Sequence, residues 1–343
     1  MESFDAKKSL GRRHSEDYHV YVENPFLEDL VRIFHSKSYR RLADKTQVIT
    51  VPKNSYTRTR ATHTSEVMAV AITISENLGL NTSLCQAIAA GHDIGHMPYG
   101  HLGEKVLTEI LGRPFYHPVG GVVIAQQIEK PDGKGLNLSF ETLEGILYHS
   151  RTGPVKLNVT KEVPEEYNAV MFADKIAYTI SDVNDAIRYG YVNRDNLPRF
   201  VLDLGDIQDQ RTYRVIGALI DESRRKGRVN FSEGDIFHNF EKTREFMFHE
   251  VYLKMNHDIK EVVLRKAYDF FSQEPFFEDV NPAAVLLMLT DKEANKLGEI
   301  MIESGRIKLA DIKGLGISDF VERLRGKIID LIDPDLNWGK KTK

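Results

Sequence analysis

The chain has one cysteine, Cys85, in 343 residues, so it can build neither a disulfide framework nor a thiolate metal site. Cys85 lies in an apolar helical run and is expected to be a buried thiol. No window approaches the roughly 18 consecutive apolar residues of a membrane span. The stretch from Met1 to Arg13 is charged and lacks an apolar core, unlike a secretory leader, so a cytoplasmic location with no membrane partner is expected. An excess of one charge is also missing: 46 Lys and Arg stand against 50 Asp and Glu, for a formal net charge of -4. That balance argues against wholesale nucleic-acid binding and gives single-stranded nucleic acid no support as a partner. The clusters Arg12-Arg13, Arg40-Arg41 and Arg224-Arg225-Lys226 read as parts of a mixed surface. Neither Gly-x-Gly-x-x-Gly nor Gly-x-x-x-x-Gly-Lys-Ser/Thr occurs, so a bound nucleotide would be gripped by side chains rather than by a glycine-rich turn.

The composition, 41% hydrophobic and 28% charged, supports a sizeable core in one large or two modest domains. Periodicity predicts an all-α chain. Helical spacing covers Asn24 to Ala43, a helix from His63 that stops at Gly79, and a helix from Asn81 or Thr82 to His92-Asp93. Further helices are expected over Glu104 to Leu111, Val119 to Ile128, Ser139 to His149 and Pro164 to Gly190. Gln47 to Val51 is a short β-branched run stopped by Pro52, and Lys53 to Arg60 reads as a loop with room for a hairpin. Beyond it the expected helical segments are Gln210 to Lys226, His238 to Phe271, Pro282 to Ser304 and Ile317 to Ile332. The predicted organisation is an N-terminal arm over 1–24, a core over 25–190 and a helical region over 191–343 packing on that core.

Chemistry concentrates between Leu84 and Leu107. An apolar helix ends in His92-Asp93, and Gly95, Pro98 and Gly100 then force a turn carrying His96, His101 and Glu104. Neutral imidazoles and carboxylates together suit a divalent metal, and the spare ones suit acid–base work beside it. A second informative stretch lies in the long helix after Pro164. At about 100° per residue, Asp174, Tyr178, Asp182 and Asp185 share a wedge of about 80°, opposite Ile176, Ile180, Val183 and Ile187. His63, His92, Asp93 and Asp174, from three helices, would offer two nitrogens and two oxygens to manganese, magnesium, iron, cobalt, nickel or zinc. A divalent ion there would polarise a phosphoryl oxygen and activate water, two services that phosphate-ester hydrolysis needs.

The series His63, His92-Asp93, Asp174 resembles the histidine-aspartate (HD) metal-dependent phosphohydrolases. Its flanks resemble the bacterial deoxynucleoside triphosphate triphosphohydrolase, or dGTPase-like, family. The matching blocks, in order, are Arg32 to Val48, Arg58 to Val67, Gly91 to Glu104, Leu143 to Leu147 and Ala173 to Tyr178, within roughly residues 25 to 190. The resemblance implies an HD helical bundle with additional C-terminal helices. It makes His63, His92, Asp93 and Asp174 the metal ligands and puts His101 and Glu104 in the catalytic dyad. It also sets His96, His117 and Arg60 toward the phosphates, Gln47 and Asp182 at the sugar hydroxyl, and Tyr178 beside the sugar. The implied reaction is dNTP plus water giving deoxynucleoside and tripolyphosphate, in a homo-oligomer that is commonly a hexamer in this family. Two departures stand out: Met97-Pro98-Tyr99 replaces Pro-Pro-Phe, and Met288-Leu-Thr-Asp-Lys-Glu-Ala294 lacks the family's glycine and tyrosine.

Other readings are kept beside this one. An HD phosphohydrolase for nucleoside monophosphates or cyclic nucleotides would keep the metal, and a non-catalytic nucleotide-binding regulator would not need the dyad. Asp182 and Asp185 could equally be the solvated face of an amphipathic helix. His14, His19, His238, His249 and His257 read as surface or satisfied core residues. His35 is open between helix packing and the site.

Overall fold

The computed structural model describes residues 1–16, 22–47, 56–130, 132–150, 163–255 and 258–340. The run over 48–51, most of the loop before Arg60, the irregular stretch over 152–162, His19 and His257 lie outside the described residues. Among the described residues the fold is all-α, with two isolated bridges, Arg12 to Ser139 and Thr46 to Thr59, as the β pairing.

The N-terminal half is built from α1 (Pro25–Phe34), α2 (Lys37–Arg41), α3 (Arg60–Leu78), α4 (Thr82–Gly91), α5 (His101–Leu111), α6 (His117–Val123), α7 (Phe140–Tyr148) and α8 (Glu165–Arg188). Local chemistry sets their ends. Asn24 and Asn81 cap α1 and α4 through their side-chain oxygens, and Thr59 with Thr62 forms a reciprocal cap on α3. Gly79 closes α3 in the left-handed region at φ 66°, a conformation that costs glycine little. Helix α4 is the centre of this half. Leu84, Cys85, Ala87, Ile88, Ala89 and Ala90 are all fully buried, because α1, α3, α7 and α8 cover the helix on different sides. Each large side chain so removed from water contributes about 1.5–3 kcal/mol.

The chain continues through α9 (Arg199–Leu202), α10 (Gln208–Lys226), α11 (Asp235–Glu250), α12 (Asp258–Gln273), α13 (Pro282–Met288), α14 (Asp291–Ser304), α15 (Leu309–Lys313) and α16 (Ser318–Leu324). These helices do not form one layer. Residues of α10 and α11, such as Leu219 and Phe240, join the core beneath α3, α4 and α8. Helices α12 to α16 instead build a second core with α5 and with Met97 and Tyr99 of the turn before it. The turn bearing His96 is therefore clamped between the two halves.

Four expected helices are shorter or divided. Asn24 to Ala43 breaks at Ser36, whose hydroxyl accepts the Tyr39 N–H and starts α2. His238 to Phe271 divides between α11 and α12. Pro282 to Ser304 breaks at Leu289, which is extended, and Thr290 with Glu293 caps α14 anew. Ile317 to Ile332 stops at Leu324, with Gly326 left-handed at φ 68° beyond it. Periodicity registers the apolar stripe that continues past such a break, whereas the break is made by a hydroxyl taking a backbone hydrogen bond. The solvated-face reading of α8 is corrected outright: Asp182 and Asp185 are buried, because α11 and the Tyr252 turn cover that side.

Candidate metal and acid–base centre

Three helices converge on one buried cluster. His63 sits one turn into α3, His92-Asp93 follows the last residue of α4, and Asp174 lies within α8. His63 Nε2 is 3.1 Å from Asp174 Oδ1. His92 Nε2 is 3.4 Å from Asp93 Oδ1 and 3.8 Å from Asp174 Oδ1. The ligand atoms of His63, His92 and Asp93 all lie within 4.8 Å of one another.

Hydrogen bonding shows that the set fits a cation. His92 Nδ1 is 2.7 Å from the Ala89 carbonyl, which only accepts, so Nδ1 carries the hydrogen and Nε2 is a bare lone pair. That buried nitrogen faces carboxylate oxygens and has no hydrogen-bond partner among the described residues. A lone pair aimed at anions is costly to bury unless a cation lies between them. The donor set of imidazole and carboxylate suits a borderline or hard divalent ion.

Electrostatics prepares His92 and the two carboxylates in their ligating forms, while His63 is held toward its charged form by its acid partner. Burial holds His92 below its ordinary value. Burial works against ionised Asp93, yet His92, His96 and Arg60 hold it well below the usual carboxylate range. Asp174 is likewise held down against burial, chiefly by the Lys175 ammonium, which donates to its Oδ2 at 3.3 Å. His63 is raised, since its bond to Asp174 and the nearby acids outweigh burial. Arg60 is itself buried and donates to Asp93 Oδ2 at 2.9 Å.

A second cluster adjoins the first. Glu104 Oε1 accepts from His117 Nδ1 at 2.7 Å, and Glu104 Oε2 lies 3.4 Å from His101 Nδ1. His96 stacks on His117 with ring centroids 3.7 Å apart, and His96 Nε2 is 3.0 Å from Asp93 Oδ1. The His117 charge leads the groups that hold buried Glu104 well below the usual range. Two glycines permit this packing. A Cβ at Gly95 would stand 2.0 Å from the His117 carbonyl oxygen, and one at Gly100, at φ 58°, would stand 2.8 Å from Arg60 Nη2. The turn is held from the C-terminal half by Asp291, which accepts the Tyr99 N–H at 2.9 Å while its other oxygen takes the Thr46 N–H at 3.1 Å. Tyr99 itself adopts φ 62°, a conformation that costs a bulky residue energy.

His63, His92, Asp93, Asp174, His96, Glu104, His117 and Arg60 thus lie in one continuous buried network. His101 is different: its side chain is 84% exposed, at the rim. Tyr178 and Asp182 lie further along α8, where Asp182 accepts the Tyr252 hydroxyl at 2.6 Å and the Tyr178 oxygen accepts from Arg244 at 3.3 Å. Burial raises the Asp182 carboxyl to about 7. Gln47 ends the described stretch, with its side-chain oxygen buried and without a donor among the described residues. His35 ends α1 and is exposed, apart from the network. Arg58, which opens the matching block before Arg60, is paired with Glu66 and Asp185.

Sequence reasoning missed His149, Lys175, Tyr252 and Asp291. His149 follows α7, fully within the network, with Nε2 3.2 Å from His117 Nε2. Its signal was present, because it stands two residues beyond the matching block Leu143 to Leu147.

Such a fold, with His63, His92-Asp93 and Asp174 gathered at its centre, defines an HD-domain phosphohydrolase, and the HD domain family matches residues 60–179. The chain belongs to the deoxyguanosinetriphosphate triphosphohydrolase-like family. It is 36% identical to a protein of that name from Clostridium tetani, over 79% of this chain and 78% of the relative. A namesake from Caldanaerobacter subterraneus is 39% identical over 72% of this chain and 70% of its own length. One from Clostridium perfringens is 38% identical over 77% and 78%. No helix of the described residues is long and apolar enough to cross a membrane.

Proposed function

We propose that this protein hydrolyses deoxynucleoside triphosphates, dGTP among them, to deoxynucleoside and intact tripolyphosphate in a divalent-metal-dependent reaction. The observation that carries the reading is the buried set His63, His92, Asp93 and Asp174, whose His92 Nε2 faces two carboxylates and has no hydrogen-bond partner among the described residues. The name shared by the relatives supports the substrate class.

Those four residues would hold the ion, and the chemistry it supplies when bound is polarisation of a phosphoryl oxygen and activation of water. Arg60 provides compensating charge, and His96 and His117 provide donors, for the triphosphate, where no glycine-rich loop offers amides. Glu104, kept ionised by its histidine partners, acts with His101 to orient water and take its proton. Water attacks the α-phosphorus and the bond to the sugar O5′ breaks. The new oxygen stays on tripolyphosphate, and O5′ leaves protonated as the deoxynucleoside hydroxyl. Gln47, Tyr178 and Asp182 meet the deoxyribose, where Asp182, raised to about 7 by burial, exists partly as the neutral acid near neutral pH.

The test is to incubate the protein with each dNTP and with GTP, plus manganese or magnesium, beside a His92→Ala control, and resolve products by ion exchange. Deoxynucleoside with tripolyphosphate, absent in the control and with GTP, is the expected outcome. Release of phosphate or pyrophosphate alone would overturn it.

A further inference from the structure

Asp291 lies within the stretch Met288 to Ala294 that departs from the family pattern, and it reaches the site from the C-terminal half. It opens α14 and is buried. The start of that helix is rigid. Thr290 and Glu293 cap it reciprocally, the other Glu293 oxygen accepts the Ile317 N–H at 2.7 Å, and Ala294 and Leu297 are fully buried in the second core. From this fixed base the two Asp291 oxygens take two different stretches of backbone. Oδ1 accepts the Tyr99 N–H at 2.9 Å, while Oδ2 accepts the Thr46 N–H at 3.1 Å and the Thr46 hydroxyl. Only a carboxylate has lone pairs on both sides for such a bridge.

What the two stretches carry gives the bridge its meaning. Tyr99 belongs to the turn of His96 and His101, and at φ 62° it needs an outside bond to hold a conformation that bulky residues avoid. Thr46 precedes Gln47, whose side-chain oxygen is buried and without a donor among the described residues. The other edge of this stretch is held as well. The Gln47 N–H donates to the Arg58 carbonyl at 3.3 Å, and the Arg60 N–H donates to the Lys45 carbonyl at 2.9 Å. The Arg60 guanidinium then spans from the Gln47 carbonyl, 3.2 Å from Nη2, to Asp93 Oδ2, 2.9 Å from Nη1. Gln47 is thus one guanidinium away from the centre, and its buried acceptor is costly to leave unpaired unless a ligand hydroxyl supplies the donor.

We infer that Asp291 is a positioning residue for sugar recognition. By holding the Thr46 and Tyr99 amides on one carboxylate, it fixes how far Gln47 stands from the turn of His96 and His101, and so how well the deoxyribose hydroxyl fits between them. Both of its oxygens are taken by the chain, so Asp291 acts through Gln47 rather than on the substrate. A shift of about 1 Å in such a site costs roughly a hundredfold in rate. The inference rests on the reaction proposed above, with Gln47 at the sugar hydroxyl.

The test compares dGTP with 2′,3′-dideoxyguanosine triphosphate, which lacks that hydroxyl, for the full chain with manganese, beside Asp291→Asn, Gln47→Ala and the double variant. Asparagine keeps the shape but turns an NH2 group toward one of the two amides. The expected result is that the wild-type preference for dGTP in kcat/KM falls at least about tenfold in Asp291→Asn. It falls likewise in Gln47→Ala and no further in the double variant, because residues that act through one contact are not additive. Circular dichroism checks each fold, and if Asp291→Asn unfolds, Thr46→Val removes one bond to Asp291 and should lower the preference in the same direction. Activity lost equally on both substrates, or a further fall in the double variant, overturns the inference and leaves the proposed function standing. A wild type without the preference overturns the sugar role of Gln47 and the inference with it. A wild type that turns over no dNTP overturns the proposed function as well.

Discussion

Asp29 in α1 and Asp93 after α4 are buried to 0% and 3% exposure, yet the protein surrounds them in opposite ways. Asp29 accepts from the Arg12 guanidinium, the Ser139 amide and hydroxyl, and the Thr142 hydroxyl at 2.6 Å. Every neighbour is a donor. Asp93 takes Arg60 on one oxygen, and its other oxygen meets His96 Nε2 and also looks toward the bare Nε2 of His92. Carboxylates along α8 and α10 repeat the contrast. Glu222 is wrapped by Lys226, Asn230 and both donors of Ser232, and these hold it at about 2 against a modest cost of burial. Asp182 has the Tyr252 hydroxyl, and burial lifts it to about 7. Acids that hold the fold together are satisfied from within, whereas acids of the centre keep oxygen lone pairs for something that is not protein.

The largest expected effect is on the unsatisfied side. His92→Ala should lose triphosphohydrolase activity by at least about ten-thousandfold, roughly 5.5 kcal/mol of transition-state stabilisation. Added manganese should raise the melting temperature of the wild type and leave that of the variant unmoved, since only a folded state that binds the ion is stabilised. An equal rise in both would erase the distinction between Asp93 and Asp29.

On the satisfied side the effect should be on stability alone. Asp29→Ala leaves Arg12 and three buried donors without this acceptor and should cost about 3–5 kcal/mol in urea unfolding. The bound metal per folded chain should be unchanged. A loss of metal with unchanged stability would make Asp29 part of the centre.

The smallest effects lie in pH dependence, and their signs are opposite. Folded Asp182 keeps its proton up to about 7, while its unfolded counterpart loses it near 3.8. In metal-free protein its contribution to stability therefore falls as pH rises between those values, and Asp182→Asn should flatten that slope. Folded Glu222 releases its proton near 2 rather than 4.5. Its contribution is present above 4.5 and lost as pH falls toward 2, so Glu222→Gln should shrink the loss on acidification. Melting temperatures across the pH range read both, and parallel profiles for the two variants would break the comparison.

Much of the centre was legible because its residues are close in sequence and carry their context with them. His92-Asp93 follows an apolar helix, His96 and Glu104 share a glycine-punctuated turn, and Asp174 falls on a marked face of a long helix. His149 was not legible in the same way. A histidine at the end of an amphipathic helix looks like any other, and its meaning comes from His117, 32 residues earlier. The buried acids of α8 were ambiguous for a related reason: an acidic helical face predicts solvent unless another helix covers it, and α11 does.

By itself the sequence determined the all-α fold, most helix starts and the chemical types gathered at the centre, because periodicity, capping and turn residues act over a few positions. Only the tertiary structure decided which nitrogen faces which oxygen and which polar atoms are left unsatisfied. Hydrogen-bond satisfaction is a property of neighbours in space, and Asp29 and Ser139, 110 residues apart along the chain, become neighbours only when the chain folds.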